Sequence, residues 1–189
     1  MAVLNPRRMA ASAVCCLGIL VFAVWPSILV AQSDDPNALL AEAERLYWLD
    51  NWAKSRPLYE KAEALFEAKG DLRNAALARI SRLRADADRI SYPEVSQQLA
   101  KELENPVVVS NPQVRLRCLI VKATIDLSID PLLSAGTWRT ALELANSIGE
   151  TRWVTRIQGE LGIISFLDGK STEARGIMTK VIQSAAAVG

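Results

Sequence analysis

The chain has 189 residues, of which half are apolar and 6% are aromatic. Its formal net charge is +1, and such a balance lacks the concentrated basic face that nucleic-acid binding requires. There is no histidine, which removes the most frequent general base and metal ligand in proteins. We therefore expect a non-catalytic protein with no cofactor, no metal site and no nucleic-acid partner.

Residues 1–32 have the pattern of an export signal. Arg7 and Arg8 precede an uncharged stretch from Met9 to Ala31, and a basic start with an apolar middle and a small-residue exit is typical of a secretory signal peptide. We expect cleavage near the end of this stretch. The alternative is an uncleaved anchor, because about 22 apolar residues are long enough to span a bilayer. In either case the remainder lies outside the cytoplasm, in the periplasm or the extracellular space.

Beyond the leader, turn signals recur at steps of 39 or 40 residues. One series lies at Asn51, Ser91–Pro93, Asp130–Pro131 and Gly169, and a second lies at Gly70, Ser110–Asn111, Gly149 and Gly189. Amphipathic patterns of helix length separate consecutive breakers, and a period of this size indicates stacked helical repeats. The sequence thus predicts an all-α domain at residues 33–189, an α-solenoid of about four antiparallel hairpins. Their approximate bounds are 34–70, 71–110, 111–149 and 150–189.

The hairpins have recognisable beginnings and ends. The first opens at an acidic cap followed by Pro36, since proline is favoured at a first helical position, and it ends at Gly70. The second has a short return helix, after which Pro106 and Pro112 flank three valines. Because the residue before a proline avoids the helical region, we expect Val107–Val109 to form an extended connector.

The fourth hairpin resembles a tetratricopeptide repeat. Leu161–Gly162, Gly169 and Ala174 match the family's Leu-Gly pair on the first helix, glycine at the turn and alanine on the second helix. The small residues suit a place where two helices cross closely. The corresponding positions of the first hairpin hold Ala43, Ser55, Tyr59 and Ala62. The period of about 40 exceeds the family's 34, so HEAT-like or other helical-hairpin repeats are the alternative.

The resemblance implies an interaction scaffold that binds a peptide or a partner helix in the concave groove of its repeats. Aromatic and arginine side chains dominate binding hot spots. The candidate partner-binding residues are therefore Tyr47, Arg117, Arg156 and Phe166.

Two other hypotheses concern the context of the chain. An exported leader followed by such repeats is similar to the N-terminal part of large bacterial exported proteins with a caspase-like (CHAT) or signalling domain. The chain would then be the repeat segment, or a truncated copy, of a larger effector. The last helix is apolar at Ile177, Val181 and Ile182, where a terminal repeat normally needs a polar cap, and this predicts self-association through the open end.

The second hairpin is rich in charge. Its charged residues include Arg73, Arg79, Arg82, Arg84, Asp86, Asp88 and Arg89. One interpretation is a cationic lining of the groove, and the other is a solvated face with i,i+4 pairs between Arg82 and Asp86 and between Arg84 and Asp88. Cys118 is the single cysteine beyond the leader, and we expect it to be buried as a small hydrophobe.

Overall fold

The computed structural model describes residues 35–188, and the predicted leader lies outside them. This part of the chain contains nine α-helices and no strand. The helices are α1 (Pro36–Trp48), α2 (Trp52–Ala68), α3 (Leu72–Asp86), α4 (Tyr92–Glu102), α5 (Pro106–Ser110), α6 (Pro112–Leu127), α7 (Pro131–Ser147), α8 (Thr151–Leu167) and α9 (Ser171–Val188). The prediction of an all-α fold is confirmed.

Neighbours in sequence are neighbours in space. α1 packs on α2 and α2 on α3, and the series α6, α7, α8 and α9 packs in the same pairwise way. In the middle, α3 contacts α4, α5 and α6. Turns of one to five residues connect successive helices.

Polar side chains begin most of these helices, as the sequence indicates. The side chain of Asp35 accepts a hydrogen bond from the backbone N–H of Asn37, and that of Asp130 accepts one from Leu132. Each carboxylate satisfies an N–H that the helix itself leaves free. At the other ends, Gly149 has a φ of 74°, a left-handed conformation that glycine adopts without steric cost.

Three apolar clusters follow one another along the chain. The first joins α1, α2 and α3 through residues such as Tyr59 and Phe66. The second joins α3 to α6, with Ile80 and Ile125 fully buried. The third joins α6, α7 and α8 around Trp138. Each cluster is thus built by helices that follow closely in sequence.

One prediction about the second hairpin is wrong. The valine triplet forms the short helix α5, not an extended connector. Pro106 occupies the first turn of α5, where its missing N–H costs nothing, and the Asn105 side chain accepts from the backbone N–H of Val107. Val108 is fully buried in the cluster between α3 and α6, and this tertiary burial favours the helical turn.

Helices α8 and α9 cross closely at Gly162. A Cβ atom at this position would lie 3.1 Å from Cγ2 of Ile177 and 3.3 Å from Cε of Met178. These distances are shorter than ordinary van der Waals contacts, so a larger residue would require the Ile177 and Met178 side chains to shift by a few tenths of an ångström.

Candidate interaction site

The initial helices of the four predicted hairpins, α1, α3, α6 and α8, bring aromatic and arginine side chains into one group. Together with one residue of α2, these form what we term the arginine–aromatic cluster. Its members are Tyr47, Trp48, Trp52, Arg84, Arg117, Arg152, Trp153 and Arg156.

The aromatic rings of the cluster join the first hairpin to the last. The Trp48 and Trp153 ring centroids are 5.0 Å apart with an interplanar angle of 32°. Tyr47 lies edge-on to Trp52, with centroids 4.8 Å apart. Aromatic pairs at these separations contribute roughly 0.5–1.5 kcal/mol beyond their burial. The Trp48–Trp153 pair therefore provides a direct contact between α1 and α8.

Each arginine of the cluster lies over an aromatic ring. Arg84 lies 4.3 Å from the Trp52 centroid, and Arg152 and Arg156 lie 4.0 Å and 4.8 Å from that of Trp48. The ring face carries negative electrostatic potential, so it attracts the guanidinium group.

Arg117 lies at the centre of the cluster. It is only 8% exposed, and its guanidinium lies 4.7 Å from the Tyr47 centroid and 5.5 Å from that of Trp153. It forms an ion pair with Glu44 of α1. Burial acts to lower the pKa of Arg117, but the charge and hydrogen bond of Glu44, together with Tyr47 and Tyr59, raise the pKa overall. The arginine is therefore charged although it is buried.

Glu44 is shared between Arg117 and two hydroxyl groups. The Tyr59 hydroxyl donates to Glu44 Oε1 at 2.8 Å, and Ser81 Oγ lies 3.5 Å from the same atom. Burial, and then the charge of Glu44, raises the pKa of Tyr59. Tyr59 is therefore a permanent hydrogen-bond donor to this carboxylate.

The hydrogen-bonding capacity of the cluster is not exhausted. Arg117 Nη1 and Arg84 Nε are buried and have no hydrogen-bond partner among the described residues. A buried donor without an acceptor costs about 1–3 kcal/mol. Beside Arg117 lies a cavity of about 140 Å³, and its other lining residues are Leu77, Gln113, Leu116, Glu150 and Trp153. Arg117 thus has an unused donor and lines a small open space.

The four predicted site residues fall into two places. Tyr47, Arg117 and Arg156 belong to the arginine–aromatic cluster. Phe166 does not: it is 61% exposed near the C-terminal end of α8, where it lines a separate groove with Met178.

Several members of the cluster were not among the predicted residues. Trp48, Trp153 and Arg152 are the clearest examples. Tyr47 and Trp48 are consecutive on one helix, so their side chains cannot both face the same core. The repeat period could have indicated Arg152 and Trp153. They lie near the start of α8, and α8 occupies the same place in its hairpin as α6, the helix that carries Arg117.

The charges of the second hairpin mostly form ion pairs within the fold. The predicted pair between Arg82 and Asp86 is confirmed, at 2.9 Å. Arg79 binds Glu102 of α4 at 2.8 Å, and this hydrogen bond raises the pKa of Arg79. The predicted pair between Arg84 and Asp88 is wrong, since Arg84 turns onto the ring of Trp52.

Cys118 is fully buried, as predicted. Its Sγ atom lies 3.4 Å from the carbonyl oxygen of Leu99. Burial raises the pKa of the thiol to about 12. A thiol in this state is a poor nucleophile at neutral pH.

Comparison with known proteins gives no family for the chain: no family model matches it, and neither does any curated protein. Within residues 35–188 there is no group of three acidic or cysteine side chains placed to hold a metal ion. The same part of the chain has no helix that combines the length and the apolar character needed to cross a membrane.

Proposed function

We propose that the protein is an exported interaction scaffold, a tetratricopeptide-like α-solenoid that binds a peptide or a partner helix. The ligand lies on the face formed by α1, α3, α6 and α8 and contacts the arginine–aromatic cluster. The scaffold performs no catalysis of its own. The alternative proposal, a repeat segment of a larger exported effector, assigns the same binding role to these helices.

The observation that carries this proposal is the buried, unpartnered Nη1 donor of Arg117 beside an open cavity. The cavity accepts a small polar group but not a whole peptide residue with a large side chain. Glu150 also lines the cavity and disfavours a ligand carboxylate there, so the carbonyl oxygen of a ligand would supply the acceptor that the fold lacks. Such a charge-assisted hydrogen bond contributes more than a neutral one.

The rim of the cluster suits the remainder of a peptide. Arg152 is exposed, and the Arg156 side chain is 39% exposed. Trp48 and Trp153 are each half-buried, so their apolar surface is partly open to a ligand. Tryptophan and arginine are the residue types that most often dominate binding energy.

Panning of a phage-displayed random peptide library against the purified protein tests this proposal. We expect enriched peptides with a shared acidic or aromatic motif. Their affinity should fall about tenfold or more, equivalent to about 1.4 kcal/mol, in the variants Arg156→Ala and Trp48→Ala.

The matched control is Arg139→Ala, which removes an exposed arginine of α7 outside the cluster. Circular dichroism of each variant confirms that it is folded. Enrichment without a shared motif, or peptides that bind all the variants equally, would contradict the proposal.

A further inference from the structure

The cavity beside Arg117 is small and has a mixed lining. Leucines of α3 and α6 form its apolar part, namely Leu77 and Leu116. Trp153 of α8 and Glu150 of the turn before α8 line it as well. Its volume is about 140 Å³, and a cavity of about 150 Å³ holds a molecule of the size of benzene. The space therefore fits the end of a ligand chain with a small side chain.

Glu150 is an acid without a counter-charge at this cavity. It is half-buried and immediately precedes α8, but its side chain makes no capping hydrogen bond there. Among the described residues it has no other hydrogen-bond or ion-pair partner. A partly buried carboxylate is costly unless a positive group pairs with it, so Glu150 favours a cationic group on the ligand.

Arg117 contributes a hydrogen-bond donor to this lining more than a free charge. Its positive charge is paired with Glu44, while its Nη1 atom is buried and has no acceptor among the described residues. Arg117, Glu44 and Glu150 together carry a net negative charge. A group that suits the cavity therefore combines a positive charge with an acceptor oxygen.

The first residue of a peptide has this combination. Its α-ammonium group offers N–H donors and a positive charge, and its own carbonyl oxygen is an acceptor. A C-terminal carboxylate has the wrong charge for Glu150, and the ammonium group of a lysine side chain has no acceptor oxygen beside it. Capture of an N-terminal amine is a general mode of peptide recognition.

We propose that the cavity binds the free N-terminus of a peptide whose first residue is small. The α-ammonium group pairs with Glu150, and the first carbonyl oxygen accepts a hydrogen bond from Arg117 Nη1. The first side chain lies against Leu77 and Leu116. This assignment rests on the proposed function and specifies which end of the ligand enters the arginine–aromatic cluster.

The remainder of the peptide continues onto the rim of the cluster. Trp153 lines the cavity and contacts Trp48, over which the exposed Arg152 and Arg156 lie. These two arginines favour acidic side chains after the first residue. Gln113, an exposed member of the lining, makes no hydrogen bond to the described residues, so it can move at little cost as the chain enters.

The test uses two synthetic peptide libraries that begin with glycine, alanine or serine and are otherwise random. Both are attached to a support through their C-termini; one has free N-termini and the other is N-acetylated. We expect the purified protein to retain peptides with acidic residues from the free library. Acetylation of a selected peptide should weaken its binding about tenfold or more, because it removes the positive charge. Fluorescence anisotropy measures the affinities.

The variant Glu150→Gln separates the ammonium contact from the others. It keeps the size of the side chain and removes its charge, and the native state loses no hydrogen bond of that side chain. Selected free peptides should bind it about tenfold more weakly, whereas their acetylated forms should bind it as they bind the parent. The matched control is Glu143→Gln on the exposed side of α7, which should bind both forms like the parent.

The outcomes distinguish this assignment from the proposed function. Equal affinity for free and acetylated peptides, or undiminished binding of free peptides by Glu150→Gln, would overturn the N-terminal assignment and leave the scaffold proposal intact. Selected peptides that share an internal lysine and tolerate acetylation would also overturn it, since the ammonium group would then come from a side chain. Failure of both libraries to bind would contradict the two proposals together.

Discussion

Helix α6 contributes to two buried polar regions that differ in one respect. Both carboxylate oxygens of Asp126, which is fully buried, have partners: Ser96 Oγ donates at 2.6 Å, Lys122 Nζ at 2.8 Å and Thr137 Oγ1 at 3.1 Å. Around Arg117, one buried nitrogen of the guanidinium has none.

We propose that this difference separates a structural role at Asp126 from a binding role at Arg117. A polar network with all its hydrogen bonds formed specifies how helices pack, and it has nothing left to offer a ligand. A network with unused donors has a lower internal stability and a higher capacity to bind an acceptor. The predictions below compare the two regions by stability, from the largest expected effect to the smallest.

The substitution Asp126→Asn should be the most destabilising. It leaves Lys122, whose side chain is only 15% exposed, without its counter-charge. Breaking a buried ion pair in this way costs about 3–5 kcal/mol. Urea unfolding followed by circular dichroism measures the change, and Glu143→Gln on the exposed side of α7 serves as the control. A loss below about 1 kcal/mol would show that the Asp126 network is not structural.

The substitution Glu44→Gln should cost less, roughly 2–3 kcal/mol. It removes the partner of Arg117, but the Glu44 side chain is 23% exposed, so water supplies part of the lost interaction. The double variant Glu44→Gln with Arg117→Met should recover much of the stability, because it also removes the buried charge. Urea unfolding of both variants checks this, and equal stability of the single and double variants would disprove the dependence on charge.

The substitution Trp48→Ala should lower stability by about 1–2 kcal/mol, the sum expected for one aromatic pair and its exposed cation–π contacts. Because Trp48 contacts Trp153 of α8, the tryptophan fluorescence of the native state should change as well. Thermal unfolding measures the first effect and an emission spectrum the second. Arg139→Ala on the exposed side of α7 is the control. An unchanged melting temperature for Trp48→Ala would mean that α1 and α8 are not coupled.

The smallest effect concerns Cys118, which faces α4 on the same side of α6 as Asp126. Its folded-state pKa of about 12 lies above the usual value of 9.0, so the unfolded chain releases the thiol proton first as the pH rises. Between pH 8 and pH 10 the free energy of unfolding should therefore fall by about 1.4 kcal/mol. Urea unfolding at pH 8 and pH 10, compared with Cys118→Ala, isolates this contribution; an identical pH dependence in both proteins would contradict it.

Much of the fold could be predicted from the sequence because its signals are local. Caps such as Asp130 and turn glycines such as Gly169 act within one or two helical turns, and the apolar period of each helix depends on its own residues. Helix α5 was missed for the opposite reason, since its formation depends on the burial of Val108 among distant helices.

The candidate site was only partly predictable. Arg117 and Arg156 could be predicted because they are separated by one repeat step, and residues one step apart lie on the same face of a repeat array. The ion pair of Arg117 with Glu44, 73 positions apart, depends on how far successive hairpins rotate, and no local pattern encodes that rotation. Phe166 lies on another side of the molecule because it belongs to the C-terminal turn of α8.

The contact between Trp48 and Trp153 also has a consequence for how the protein loses its structure. In a linear repeat array each unit touches only its neighbours, so terminal units can detach one at a time. Here α1 and α8 share a contact, and detaching the first hairpin also exposes the ring surface of α8. The two ends should therefore melt in a single cooperative step, which leaves α9, with its open groove, as the segment that can fray alone.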